Sequence, residues 1–172
     1  MRSRPIVLSD VTVHEYLIGH ELTAEECQKP IKVLKPGEKG DLILRRANVW
    51  NGLVSNVPRR FLEALTFAAW GYKGTGAHDL AINVLYHFGD GDEKFAREYA
   101  RWFLLDVVCK LPQDKPLLID GDFLIKWVSE KRSQPIDESS ELHAPMKYAR
   151  LCPSHMMWDV HGQAILTPAE IA

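Results

Sequence analysis

The chain has 172 residues, 46% of them hydrophobic and 26% charged, with a net charge of −2. At that length and composition a packed core forms without disulfides or a structural metal, and the near-neutral balance excludes a protein that coats nucleic acid with its whole surface. Three scattered cysteines, Cys27, Cys109 and Cys152, fit a reducing cytoplasm rather than a disulfide framework; no signal peptide is visible, and no apolar run approaches the roughly 20 residues that span a bilayer.

Residues 5–20 are rich in β-formers broken at Ser9-Asp10 and Gly19, which predicts two short strands. Thr23-Ala24-Glu25-Glu26 has capping-box spacing, and Pro30 keeps any helix there short. A turn cluster, Pro36-Gly37-Glu38-Lys39-Gly40, leads into a strand over 41–45. After Gly76, the apolar residues Leu80, Ala81, Val84, Leu85 and Phe88 lie on one helical stripe. Gly89-Asp90-Gly91 ends that helix, and a second is predicted over 92–111, stopped by Pro112. A third starts near Asp120 or Asp122 and carries Phe123, Leu124, Trp127 and Val128. The pair Asp120 and Asp122 is explained by capping more simply than by acid–base chemistry. Beyond it, residues 134–146 read as a polar loop, 160–166 as a hairpin turning at Gly162-Gln163, and Thr167-Pro168 as another helix start. The fold expected is α+β, a three-helix unit (77–88, 92–111 and 120–131) on a small, mainly antiparallel sheet. Residues 1–172 read as one domain, with a strand region over 1–59 and an irregular tail over 133–172.

The stretch Thr66-Phe67-Ala68-Ala69-Trp70-Gly71-Tyr72-Lys73-Gly74-Thr75-Gly76-Ala77, with the Leu- and Ala-rich helix that follows, resembles the domain of unknown function 6166, found in bacteria, plasmids and phages. Tyr99, Phe103, Leu111-Pro112 and Trp127 match that family's later features, so the resemblance covers about residues 60–130. Lys73 stands where the family has Gly, and Ala77 where it has Pro. The resemblance implies a compact α/β unit and a mobile-element setting, and no assigned activity.

Three groups of residues invite a functional reading. The glycine turn Gly71, Lys73, Gly74, Thr75 and Gly76 precedes a helix, whose amides and dipole suit an anion or a nucleotide phosphate. It matches neither a Walker A loop nor a dinucleotide fingerprint, and the plain alternative is a tight turn with Trp70 and Tyr72 plugging the core. Arg45, Arg46, Arg59 and Arg60 bracket Trp50 in a stretch with no acid between Asp41 and Glu63. Residues 29–73 sum to +6, whereas residues 1–28 sum to −3 and residues 74–172 to −5. Paired arginines around a Trp contact phosphates and bases, or anchor an acidic protein surface, or are ordinary surface charge. Cys152, His155 and His161, with Asp159 and His143 nearby, have the look of a zinc half-site. The paired element that would complete it is missing, so no metal and no cofactor is expected.

No nucleophile elbow, HExxH or Ser-His-Asp order appears. The function expected is therefore a non-catalytic interaction protein of phage or mobile-element type, working in the host cytoplasm. Its partner would be a host protein complex, such as a defence system it inhibits, or nucleic acid, met through the basic block and not through a membrane. The alternative is a small-ligand or nucleotide-binding module, or an enzyme, centred on the glycine turn.

Overall fold

The computed structural model describes residues 4–8, 16–45, 55–62, 69–113 and 115–134, and the backbone of three two-residue strands at 150–151, 157–158 and 164–165. The first strands are β1 (Pro5–Leu8) and β2 (Tyr16–Glu21), followed by a one-turn helix α1 (Ala24–Gln28), β3 (Leu42–Leu44) and β4 (Phe61–Leu62). Three longer helices follow: α2 (Thr75–Phe88), α3 (Glu93–Asp106) and α4 (Gly121–Ser133). A 3-10 turn (Val108–Lys110) and β5 (Leu117–Ile119) lie between α3 and α4, and β6 (Arg150–Leu151), β7 (Met157–Trp158) and β8 (Ala164–Ile165) come last.

The main sheet has the order β1-β2-β5-β3, and every neighbouring pair is antiparallel. β5 is an inner strand: Ile119 faces Gly19 of β2 on one side and Leu42 of β3 on the other. Alternate residues of β3 and β5 are buried, so Leu42, Leu44, Leu117 and Ile119 line one face of the sheet. The helices cover that face. Leu80 and Val84 of α2, Phe103 of α3 and Leu124 of α4 meet Leu42, Leu44 and Ile119 around a single core. The architecture is thus the α+β arrangement of helices on a small antiparallel sheet.

Local side-chain caps account for three of the four described α-helix starts. Thr23 and Glu26 form the reciprocal capping box, with bonds of 3.2 and 2.8 Å. Asp92 caps α3 through Phe95 N, and Asp120 caps α4 through Asp122 N. Leu80, Ala81, Val84, Leu85 and Phe88 are all buried, as the stripe requires. α2 goes much further, however: twelve of its 14 residues are buried, including His78, Asp79, Asn83 and His87. It is the central helix of the unit, not an amphipathic one at the surface.

α3 stops at Asp106, short of the expected position 111. Val107 leaves helical geometry and the chain tightens into the 3-10 turn, whose Val108 carbonyl accepts the amide of Gly71 at 2.9 Å. The tail contains an antiparallel pair, β7 with β8, so the hairpin's first strand lies earlier in the chain than expected. Its turn, and the helix start at Thr167-Pro168, lie outside the described residues. β6 pairs with β4, joining Leu151 to Phe61.

Candidate functional site

The glycine turn is wired into the fold. Trp70 is 1% exposed, and its indole N–H lies between the carbonyls of Pro112 (3.1 Å) and Lys115 (3.2 Å). Gly71 has φ +82, and a Cβ there would stand 2.6 Å from the Cα of Gln113. Gly74 is the N-cap residue of α2, and its carbonyl accepts His78 N–H at 2.9 Å. Trp70 therefore plugs the core as expected, but Tyr72 does not. It is 39% exposed and lies over Gly74, whose missing side chain makes room for the ring. Lys73 and Thr75 are exposed beside it.

The described arginines of the basic block have different fates. Arg45 folds back onto α1, its Nη1 donating to the carbonyls of Cys27 and, at 2.8 Å, of Lys29. That closes the C-terminal end of the short helix. Arg59 pairs at 2.6 Å with Asp79, whose side chain is fully buried. Arg60 is the exception: among the described residues no hydrogen bond or ion pair engages its guanidinium. Arg46 and Trp50, and the residues Cys152, His155, His161, His143 and Asp159, lie outside the described residues. Among the described residues no group of His, Cys, Asp or Glu side chains is placed to hold a metal.

Arg60 stands at a cleft of about 260 Å³ with Pro36, Pro58, Tyr86, His87 and Asp90 among its walls. The cleft lies at the C-terminal end of α2, opposite the glycine turn. Asn83, one turn earlier on α2 and 4% exposed, fixes the strand that brings Arg60 there. Its Oδ1 accepts the amides of Arg60 (2.5 Å) and Phe61 (2.8 Å), and its Nδ2 donates to the carbonyls of Phe61 (2.9 Å) and Asp79 (2.7 Å). All four bonding positions of the amide are used, so the backbone at Arg60 and Phe61 is tied to α2. Tyr86 is braced edge-on against Phe61, with ring centroids 5.1 Å apart.

The C-terminal end of α2 beside the cleft is electrostatically organised. Lys39 donates to the terminal carbonyls of α2, His87 (3.1 Å) and Phe88 (2.8 Å), and pairs with Asp90 at 2.8 Å. A cation at a helix C-terminus offsets the partial negative charge there. The same hydrogen bond and charge hold the Asp90 carboxyl below its usual range. His87 Nε2 lies 2.6 Å from the Glu38 carbonyl, so that nitrogen carries the proton. Burial, followed by the charges of Lys39 and Arg60, lowers the pKa of His87 against the raising effect of that bond. Arg132 also reaches Asp90, at 3.8 Å, and pairs with Asp92 at 3.7 Å, so Lys39 and Arg132 are balanced by Asp90 and Asp92, His87 is neutral, and Arg60 contributes a cation that no described side chain offsets. Chemically, the arrangement suits an anion.

Residues 60–130 match the model of a family of unknown function, DUF6166. The resemblance to DUF6166 is thereby borne out over that segment. Neither the curated proteins nor the solved structures compared with the chain gave a match. The DUF6166 segment holds the glycine turn, β4, β5, α2, α3 and most of α4. It supplies Arg60, Tyr86, His87 and Asp90 to the cleft, whereas Pro36 and Pro58 come from the chain before it. The cleft therefore draws on both the matched segment and the chain just before it. The sequence reading reached Arg60 but missed Lys39, Asn83, Tyr86, His87 and Asp90. One signal was present: Asp79 and Asn83, spaced i, i+4, interrupt an otherwise apolar helix face. The closure of residues 36–39 onto 86–91 carries no local signal.

Proposed function

We propose that the chain is a non-catalytic binding protein that meets an acidic surface of a host protein complex through the face around Arg60. The observation that carries this reading is the guanidinium itself, which is partly exposed, backbone-anchored by Asn83 and engaged by no described side chain. Arginine in such a position is a favoured interface anchor, because its planar fork gives paired hydrogen bonds to carboxylates. The mobile-element setting implied by the resemblance makes a host complex, such as a defence system, the partner to look for in the cytoplasm. Among the described residues no helix is long and apolar enough to cross a membrane.

The test begins with capture from host lysate and identification of the partner by mass spectrometry. Affinity for the purified partner is then measured for the wild type and for Arg60→Glu. Charge reversal at an anchor is expected to weaken binding at least about tenfold, equivalent to about 1.4 kcal/mol. Equal affinity would discard Arg60 as the contact. Nucleic acid as the partner instead would show as a steep linear fall of log affinity with log salt concentration.

A further inference from the structure

We propose that the cleft at the C-terminal end of α2 is a carboxylate-binding pocket, taking an acid group on a short apolar stem, as an acidic side chain or chain end of a protein presents it. The inference rests on the reading that Arg60 faces a partner and names what Arg60 receives.

Charge sets the head group. Arg60 brings one cation not offset by any described side chain, while the two cations behind the cleft are balanced: Lys39 is held by Asp90 and by two helix carbonyls, and Arg132, which also reaches Asp90, by Asp92 and the Gly89 carbonyl. One net positive charge matches one carboxylate. A phosphate dianion brings a second negative charge toward the Asp90 carboxylate, which lies in the same wall. The guanidinium fork also matches the two oxygens of a carboxylate. Shape sets the stem. Pro36, Pro58 and the Tyr86 ring give the cleft apolar walls beside Arg60, with Asp90 as the second charged group in its lining. Small-molecule sites run upward from about 300 Å³; at about 260 Å³ this cleft suits one side chain or a small acid rather than a cofactor. Asn83 fixes the backbone at Arg60 and Phe61 braces Tyr86, so the ordering cost left to the ligand is mainly that of the Arg60 side chain.

Phenylacetate serves as the probe, with phenylacetamide as its neutral counterpart and inorganic phosphate as the competing anion. Each is titrated into the full chain and followed by amide chemical shifts. Phenylacetate is expected to bind saturably in the millimolar range, with shifts confined to residues 36–37, 58–60 and 86–91. Phenylacetamide and phosphate are expected to bind at least about tenfold more weakly. Arg60→Ala should abolish phenylacetate binding, and Arg60→Lys should retain part of it. Equal binding of the amide, shifts centred elsewhere, or undiminished binding by Arg60→Ala in a variant with a wild-type spectrum would overturn the proposal. A blocked tripeptide with a central glutamate separates the sources: tighter binding than phenylacetate supports a protein acid, and weaker binding with the same Arg60 dependence supports a free small acid in the same pocket. The two readings fail separately. Arg60-dependent phenylacetate binding with unchanged partner affinity in Arg60→Glu keeps the pocket and removes the partner reading. The reverse result removes the pocket alone.

Discussion

Arg59 and Arg60 are adjacent, identical in chemistry and opposite in role. Arg59 reaches inward to an Asp79 side chain that is fully buried, and Arg60 stays at the cleft. Removing one partner of a buried pair strands a charge, at about 3–5 kcal/mol, whereas a surface change away from such features stays within about 0.5 kcal/mol. Arg59→Ala is therefore expected to lower the denaturant midpoint sharply, and Arg60→Ala to leave it almost unchanged. A reversed order would show that the two side chains have been assigned the wrong way round. Two glycines separate in the same way. Gly37 has φ +80 and open space where a Cβ would stand, with nothing within 4 Å, so Gly37→Ala carries only the left-handed backbone cost of about 1 kcal/mol. Gly71 has the same backbone at φ +82, but its Cβ would collide with the main chain of Gln113 at 2.6 Å. Gly71→Ala should cost about 3 kcal/mol or more, since backbone on both sides must move. Similar thermal shifts for the two variants would refute the close approach. Of these residues the sequence made Trp70 and Gly71 legible as a structural turn. It left Tyr72 misplaced, because a short aromatic motif does not say which ring turns inward.

At the scale of elements, helix starts were readable because their caps are local: Thr23, Asp92 and Asp120 each bond within three residues. The end of α3 was not, because it depends on a bond from Gly71, far back in the chain. β5 escaped notice for a related reason. Three residues between Pro116 and Asp120 are too few to show a period, and they are a strand only because β2 and β3 flank them. The C-terminal end of α2 is also closed from a distance, by Lys39 on its carbonyls and by the Glu38 carbonyl on His87. This contact has a pH signature. Unfolded, a histidine takes up its proton near pH 6.5; folded, burial and then Lys39 and Arg60 keep His87 neutral to lower pH. Below about pH 6.5 the unfolded chain therefore binds more protons than the folded one, and stability falls as pH drops through that window. In His87→Gln this loss is removed, so its denaturant midpoint should fall less than that of the wild type between about pH 7 and about pH 5.5. Parallel curves for the two proteins would show that His87 is not held neutral by the fold.

At the scale of the molecule, the matched segment and the folded unit have different boundaries. Residues 60–130 contain α2, α3 and most of α4, but their core is completed from outside. Ile6, Ile18, Leu34, Leu42, Leu44 and Val57 are all buried, and none belongs to the segment. At about 1.5–3 kcal/mol for each buried aliphatic side chain, these six contribute on the order of 10 kcal/mol of burial, comparable with the entire net stability of a typical domain, about 5–15 kcal/mol. The backbone adds to the deficit. Without β2 and β3, the inner strand β5 has two open edges and its Leu117 and Ile119 lose the strands beside them. A fragment of residues 60–133, which carries all three helices whole, is thus expected to show no cooperative thermal transition and a collapsed amide spectrum. Supplying residues 1–59 as a separate chain should restore both, because that piece returns β1, β2, β3 and the Pro36 and Pro58 walls of the cleft. A fragment of residues 60–133 that melts cooperatively by itself would show that the helices hold their own core, and that the sheet is an addition to the family's fold rather than half of it.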